Sequence, residues 1–226
     1  MTFIDEEFGE VVVRKSATAR SVKFSLSPDG RLRISAPAFV SDRRIKKLME
    51  NSREELQKSL MVHRPKKTLR DGQKVGKSYT VVFRRGEGEG ARVVGRQIVV
   101  DVRGGEDEVE VSQAMRDALV KALRNDAKEY LPKRLKVVAE VGGFEYETVR
   151  FSHASSRWGS CSSGGTVSLN ISLMKLPDQL IDYVLIHELA HTRFMNHGAE
   201  FWQEVEKYDP NYRRHRKALK MFSPFV

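Results

Sequence analysis

Tyr183-Val184-Leu185-Ile186-His187-Glu188-Leu189-Ala190-His191 is the stretch on which the reading of this chain turns. An apolar run leads into two histidines four residues apart, with a glutamate directly after the first. On a helix, positions i and i+4 project from one face, so both imidazoles reach one cation while Glu188 addresses a water on it. The expected metal is a single Zn2+ ion, which takes imidazole nitrogen in tetrahedral sites and, where catalytic, keeps one position open for water. A third protein ligand is then needed. His197 lies six residues beyond His191, between Asn196 and Gly198, where a helix can end and the chain turn back; Glu200 and Glu204 are the alternatives. Three of the six histidines fall within the eleven residues 187–197, which sets them apart from an ordinary scatter of surface histidines.

Working outward, Pro177 suits the first turn of the helix that carries this motif, expected to run to about Met195. Two further helices are expected over 198–207 and 211–221, with Phe201, Trp202 and Val205 packing behind the metal-bearing helix. Upstream, Met115, Ala118, Leu119, Ala122, Leu123, Ala127, Leu131, Leu135 and Val138 form one stripe of a long helix. Ser112 is placed to cap it and Gly142-Gly143 to stop it, and Pro132 predicts a kink or break. Short strands are expected over 148–152 and 166–172, separated by the Gly/Ser-rich 157–165. The first hundred residues read as strands at 11–14, 22–26, 32–35, 79–83 and 97–102, with a turn at Ser27-Pro28-Asp29-Gly30. A helix capped at Ser41-Asp42 carries Ile45, Leu48, Met49 and Leu56 and is expected to end near Leu60. No internal repeat is visible. The fold class is α+β, in two parts: a basic β-rich module over 1–107 and a metal-binding catalytic domain over 108–226.

The motif, the Asn196-His197-Gly198-Ala199-Glu200-Phe201-Trp202 that follows it, and the upstream Arg157-Trp158-Gly159-Ser160-Cys161-Ser162 with Asn170 resemble the YgjP-like metallopeptidase family. That family is zincin-type and similar to the SprT and WLM peptidases. The resemblance extends to the Arg-rich opening with Ala36-Pro37 and to the long helix. It implies a zincin-like core of long helix, small sheet and HExxH helix. It further implies His187, His191 and His197 as zinc ligands, Glu188 as the catalytic glutamate, and a peptide or protein substrate. Metzincins share the ligand spacing, but the Gly of their intervening turn corresponds to Phe194 here.

Such a site uses an activated water, with Glu188 taking its proton and passing it to the leaving amine. Arg157, Asn170, Tyr183 and Tyr212 are the candidates for stabilising the oxyanion, Asn170 from the strand expected to offer its edge to an extended substrate. Cys161 reads as a small buried hydrophobe rather than a fourth ligand. His63, His153 and His215 show no partner, and the basic cluster from Lys207 to Lys220 reads as a solvated helix face.

Composition sets the frame. The 226 residues are 40% hydrophobic, enough for a core, and one cysteine excludes a disulfide-stapled scaffold. The N-terminus carries no apolar signal segment and no apolar run spans a bilayer, so a cytoplasmic protein with no membrane partner is expected, of unspecified oligomeric state. The net charge of +10 is uneven: residues 14–103 hold 23 basic against 9 acidic residues, whereas residues 144–226 hold 10 against 9. A basic module beside a metal-dependent hydrolase points to an anionic partner such as nucleic acid, as for SprT-like proteases acting on DNA-bound protein. Two other classes stay open: a zinc-dependent nucleotide or phosphoanhydride hydrolase using Arg157 or Arg193 to hold phosphate, and a non-catalytic zinc-stabilised nucleic-acid-associated module. The intact Glu188 favours an enzyme, because a structural site gains nothing from a general base.

Overall fold

Val11, Val13, Leu32, Ile34 and Ala36 alternate with more exposed neighbours, and this period of two lays them on one buried face of a four-stranded sheet. The fold is given by a computed structural model that describes residues 2–5, 8–26, 32–57, 68–86, 90–105, 107–154 and 156–224. The sheet contains β1 (Thr2–Asp5), β2 (Gly9–Ser16), β3 (Lys23–Leu26) and β4 (Leu32–Pro37) in the order β1-β2-β4-β3. Ser41 caps α1 (Asp42–Asn51) through its Oγ, which accepts the Arg44 amide at 3.4 Å, and the helix buries Ile45 and Met49 against the sheet residues. The helix ends at Asn51. The expected end near Leu60, the turn at Ser27–Gly30 and His63 lie outside the described residues. These elements form one compact unit, residues 1–67.

The second unit is 68–226, so the division by packing falls at Lys67, whereas the change of period along the sequence places it at 107/108. It begins with β5 (Thr68–Arg70), β6 (Lys74–Val75), β7 (Tyr79–Arg85), β8 (Ala91–Val94), β9 (Gln97–Val102) and β10 (Glu108–Glu110), followed by α2 (Gln113–Gly142). The reason for the shifted boundary is packing. Val81, Ile98 and Val100 share one core with Met115, Ala118, Ala122 and Leu123 of α2, so these strands need the long helix to bury their apolar face. Their strand-type alternation continues that of the first unit up to the change of period near Ser112, which is where the sequence places the boundary.

The order β6-β7-β9-β8 reproduces that of the first sheet: a parallel central pair flanked by an antiparallel strand on each side, followed in the chain by a serine-capped helix. The central pairs even match in kind, Val13 beside Ile34 and Val81 beside Ile98. The expected absence of a repeat is therefore corrected at the level of topology. What recurs is the apolar alternation, which many sequences satisfy.

The α2 helix runs unbroken through Pro132 and stops at Gly143, whose φ of 59° is the left-handed conformation a glycine adopts freely. After it come β11 (Thr148–Ser152), β12 (Gly159–Cys161) and β13 (Thr166–Asn170), in the sheet order β11-β13-β12, then a 3₁₀ turn (Ile171–Lys175). The last helices are α3 (Asp178–Ala190), α4 (Ala199–Tyr208) and α5 (Tyr212–Leu219). No helix among the described residues is long and apolar enough to cross a membrane. α3 lies parallel to the C-terminal half of α2: Arg134 donates to both oxygens of Asp182 at 2.6 and 2.7 Å, and the Tyr130 hydroxyl donates to Asp178 at 3.2 Å one turn earlier on each helix.

Asp126 joins the strands to α2. Only 2% exposed, its Oδ2 accepts the amides of Lys77 (2.7 Å) and Ser78 (3.1 Å) in the turn between β6 and β7. Asp126→Ala leaves two sheltered N–H groups without their acceptor, a loss of about 2–3 kcal/mol. Urea denaturation should show a lower midpoint at unchanged m-value; an unchanged midpoint contradicts the anchoring role.

Candidate metal centre

α3 is covered on nearly every side, with Leu180, Ile181, Val184, Leu185, Ile186, Leu189 and Ala190 all buried. Its last turn carries His187 and Glu188, and His191 stands at its C-terminal cap, four residues before the expected end at Met195. The chain then makes a tight turn, with the amides of Arg193 and Phe194 both reaching Ala190 O, and returns to present His197. The ligand nitrogens of His187, His191 and His197 all lie within 4.8 Å of one another, and the Nε2 atoms of His187 and His197 are 3.1 Å apart. Nitrogens bound at about 2.0–2.1 Å in a tetrahedral site are about 3.3 Å apart, so three imidazoles converge as a metal requires. Their second nitrogens agree with this. His191 Nδ1 faces Phe194 O at 3.0 Å, a bond that needs the proton on Nδ1 and leaves Nε2 with its lone pair. His187 Nδ1 is buried with no partner among the described residues, so that ring is committed through Nε2. Burial, then the neighbouring His191 and His197, hold His187 neutral, its pKa lowered to about 3.

The rival third ligands are elsewhere. Glu204 forms an ion pair with Arg193, and the exposed Glu200 is not among the converging ligands. Arg193 also donates to Gly142 O (3.0 Å) and Gly143 O at the end of α2 and stacks over Phe144, 4.2 Å from the ring centroid. It is therefore engaged in holding the end of α2 to the turn after α3.

Glu188 is 6% exposed and makes no hydrogen bond or ion pair with another described residue. Burial pushes its carboxyl up to about 8, with Arg157 pulling in the opposite direction. One neighbour defines its seat. A β-carbon placed on Gly159 of β12 would lie 2.6 Å from Glu188 Oε1 and 2.7 Å from Cγ and Cδ. The Gly/Ser composition of 157–165 reads as a linker, yet it contains this edge strand.

The structure separates the four oxyanion candidates. Arg157 is exposed, and its charge acts on Glu188. Tyr183 is 4% exposed, one helical turn before His187 with ring centroids 6.0 Å apart, and burial pushes its hydroxyl up to about 12. Asn170 is fully buried and spent: Nδ2 donates to Ala154 O (2.6 Å) and Arg157 O (2.9 Å), and Oδ1 accepts from the Ser172 amide (2.9 Å). It anchors a loop instead of meeting substrate, and β13, which bears it, is the middle strand and not the edge. Tyr212 stacks behind Trp202 (5.3 Å between centroids, 16° between planes), and its hydroxyl accepts from Arg213 Nε at 3.2 Å.

Phe201 lies under all three imidazoles, with centroids 4.6–5.0 Å away, and Trp202 stacks on His197 at 5.7 Å, so the tryptophan walls the site and is only half-buried. Arg216, expected on a solvated face, sits over the Trp202 ring at 4.7 Å, and its charge contributes to the lowered pKa of His187 and acts on Tyr183. His215, expected without a partner, pairs with the buried Asp209 at 2.8 Å. Cys161 is half-buried on β12, outside the converging ligands, and burial followed by the nearby Glu188 raises its thiol pKa. Sequence spacing alone had no signal for Arg216 or Gly159, because both act across elements distant in the chain.

A family model described as "YgjP-like, metallopeptidase domain" matches residues 20–222. The chain belongs to that family. Membership supports a metal-dependent peptidase, consistent with the three-histidine site. Among solved structures, the zymogen of abylysin from Pyrococcus abyssi aligns at 25% identity over 41% of this chain and 94% of that one, with a TM-score of 0.38. The jannalysin zymogen of Methanocaldococcus jannaschii aligns at 18% identity over 40% and 94%, with a TM-score of 0.37. No curated protein matches.

The two perturbed groups give a pH signature after chelation. The Glu188 carboxyl, raised from 4.5 to about 8, contributes stability present below pH 4.5 and lost as pH rises through 8. His187, lowered from 6.5 to about 3, contributes stability present above 6.5 and lost as pH falls through 3. Between pH 6.5 and 8 only the Glu188 contribution has a slope. Thermal unfolding of chelated protein should therefore show Tm falling across that window and a flatter profile for Glu188→Gln; equal slopes contradict the assignment.

Proposed function

We propose that this chain is a zinc peptidase in which His187, His191 and His197 hold one zinc ion and Glu188 is the general base. A bound zinc ion would supply Lewis acidity and lower the pKa of its water to about 7. Glu188 then accepts a proton from the attacking water and delivers it to the departing amine. Its sheltered seat keeps bulk water from competing for that proton. Arg157 and Arg216 bring positive charge to the walls where negative charge develops on the acyl oxygen.

The observation that carries the choice of peptides is the open edge of β12 beside Glu188. Within the β12–β13 ladder, Ser162 N donates to Thr166 O and Asn170 N to Trp158 O, so the even-numbered residues of β12 face β13. By alternation, the N–H and C=O of Gly159 and Cys161 point to the unpaired side, spaced for the backbone of an extended peptide. A nucleotide has no use for that edge. A zinc module without catalysis has no use for a buried carboxylate that makes no ion pair among the described residues.

The test is Glu188→Gln, with metal content measured beside peptide-cleavage and nucleotide-hydrolysis assays. Expected are full metal content and a fall in peptide kcat of about 10²–10⁴-fold. Peptide turnover unchanged from the parent, or Glu188 dependence confined to nucleotides, defeats the proposal.

A further inference from the structure

Gly159 carries a constraint that its own backbone does not explain. It is not among the positive-φ glycines, so its conformation is open to alanine, and the space for a β-carbon is what is missing. That space is filled by the Glu188 side chain from Cγ to Oε1. We infer that Gly159 is a positioning residue for Glu188: the bare backbone of β12 is the wall against which the carboxylate is seated.

Neither side of this contact can easily retreat. Asn170 clamps the chain just before Gly159, its backbone amide donating to Trp158 O at 2.9 Å and its Nδ2 to Arg157 O at 2.9 Å. Glu188 rises from α3, whose last two turns are fixed in the core by Leu185 and Leu189 on one face of that helix, each 0% exposed. A methyl group on residue 159 therefore displaces the carboxylate, not the strand or the helix, and it must move by nearly 1 Å to reach ordinary contact. The same residue offers its N–H and C=O at the open edge, so it fixes the base relative to a peptide paired there. That last point rests on the peptidase reading; the seating itself does not.

The test is a pair of cycles. In the first, Tm is measured for the full chain with Gly159→Ala, Glu188→Ala and both. Gly159→Ala should lower Tm alone and leave it unchanged or raised when Glu188 is already alanine, because the methyl then enters vacated space. Equal losses in both backgrounds overturn the inference. Should Gly159→Ala alone be insoluble, a soluble double variant supports the seating and an insoluble one overturns it. In the second, kcat, KM and bound metal are compared. Gly159→Ala should keep its metal and lower kcat about 10²-fold, the effect of a misplacement near 1 Å, with KM changed far less. It should cost nothing further in the Glu188→Gln background; metal loss, or a further fall there, marks a merely structural role. A parent chain that cleaves no peptide defeats the proposed function and leaves the first cycle to decide the seating.

Discussion

The constraint on which the second unit depends is that α3 must shelter the half-buried His187 and the buried Glu188 within a helix that is otherwise apolar on nearly every face. Burying polar groups without partners is unfavourable, and each element around α3 answers part of that difficulty. The parallel run of α2, tied by Arg134 to Asp182, covers one side. Phe201 of α4 closes the floor beneath the imidazoles, and the chain reversal after His191 gives that ring an acceptor at Phe194 O. What stays unanswered among the described residues is the convergence of imidazole lone pairs and the carboxylate of Glu188, and a cation bound there would relieve both together.

The electrostatics of the site follow from the same burial. A low-polarity setting keeps His187 uncharged and ready to bind and raises the affinity of Glu188 for a proton. A divalent cation held by the three imidazoles would favour the carboxylate form of Glu188, the form able to accept a proton, so that metal binding and the charge state of that carboxyl would be coupled. Arg157 acts in the same direction from the loop before β12, and that loop is held by Asn170, so a fully buried residue shapes the field around Glu188.

The histidine cluster was legible in the sequence because its geometry is local: i and i+4 on a helix place His187 and His191 together whatever else the fold does. His197 was legible because a six-residue return is short. The long helix, its serine cap and its glycine stop were legible for the same reason. What escaped depends on packing between distant segments. β12 has the composition of a loop and becomes a strand by pairing with β13. Asn170 has the chemistry of a substrate contact, and its partners decide that it is an anchor. The division of the chain at Lys67 was hidden because β5 to β10 continue the run of strands that precedes them, while their inner faces belong to the core of α2. The two similar sheets conserve only alternation, a pattern too permissive to register as a repeat.

The central claim is that three imidazoles, and no other side chain, hold the metal. X-ray absorption at the zinc edge of the metal-loaded full chain tests it directly. The account predicts a shell of nitrogen and oxygen scatterers near 2.0 Å with the multiple-scattering signature of three imidazoles, falling to two in His197→Ala. A sulfur scatterer near 2.3 Å, which would bring in Cys161, or an unchanged imidazole count in that variant, contradicts it.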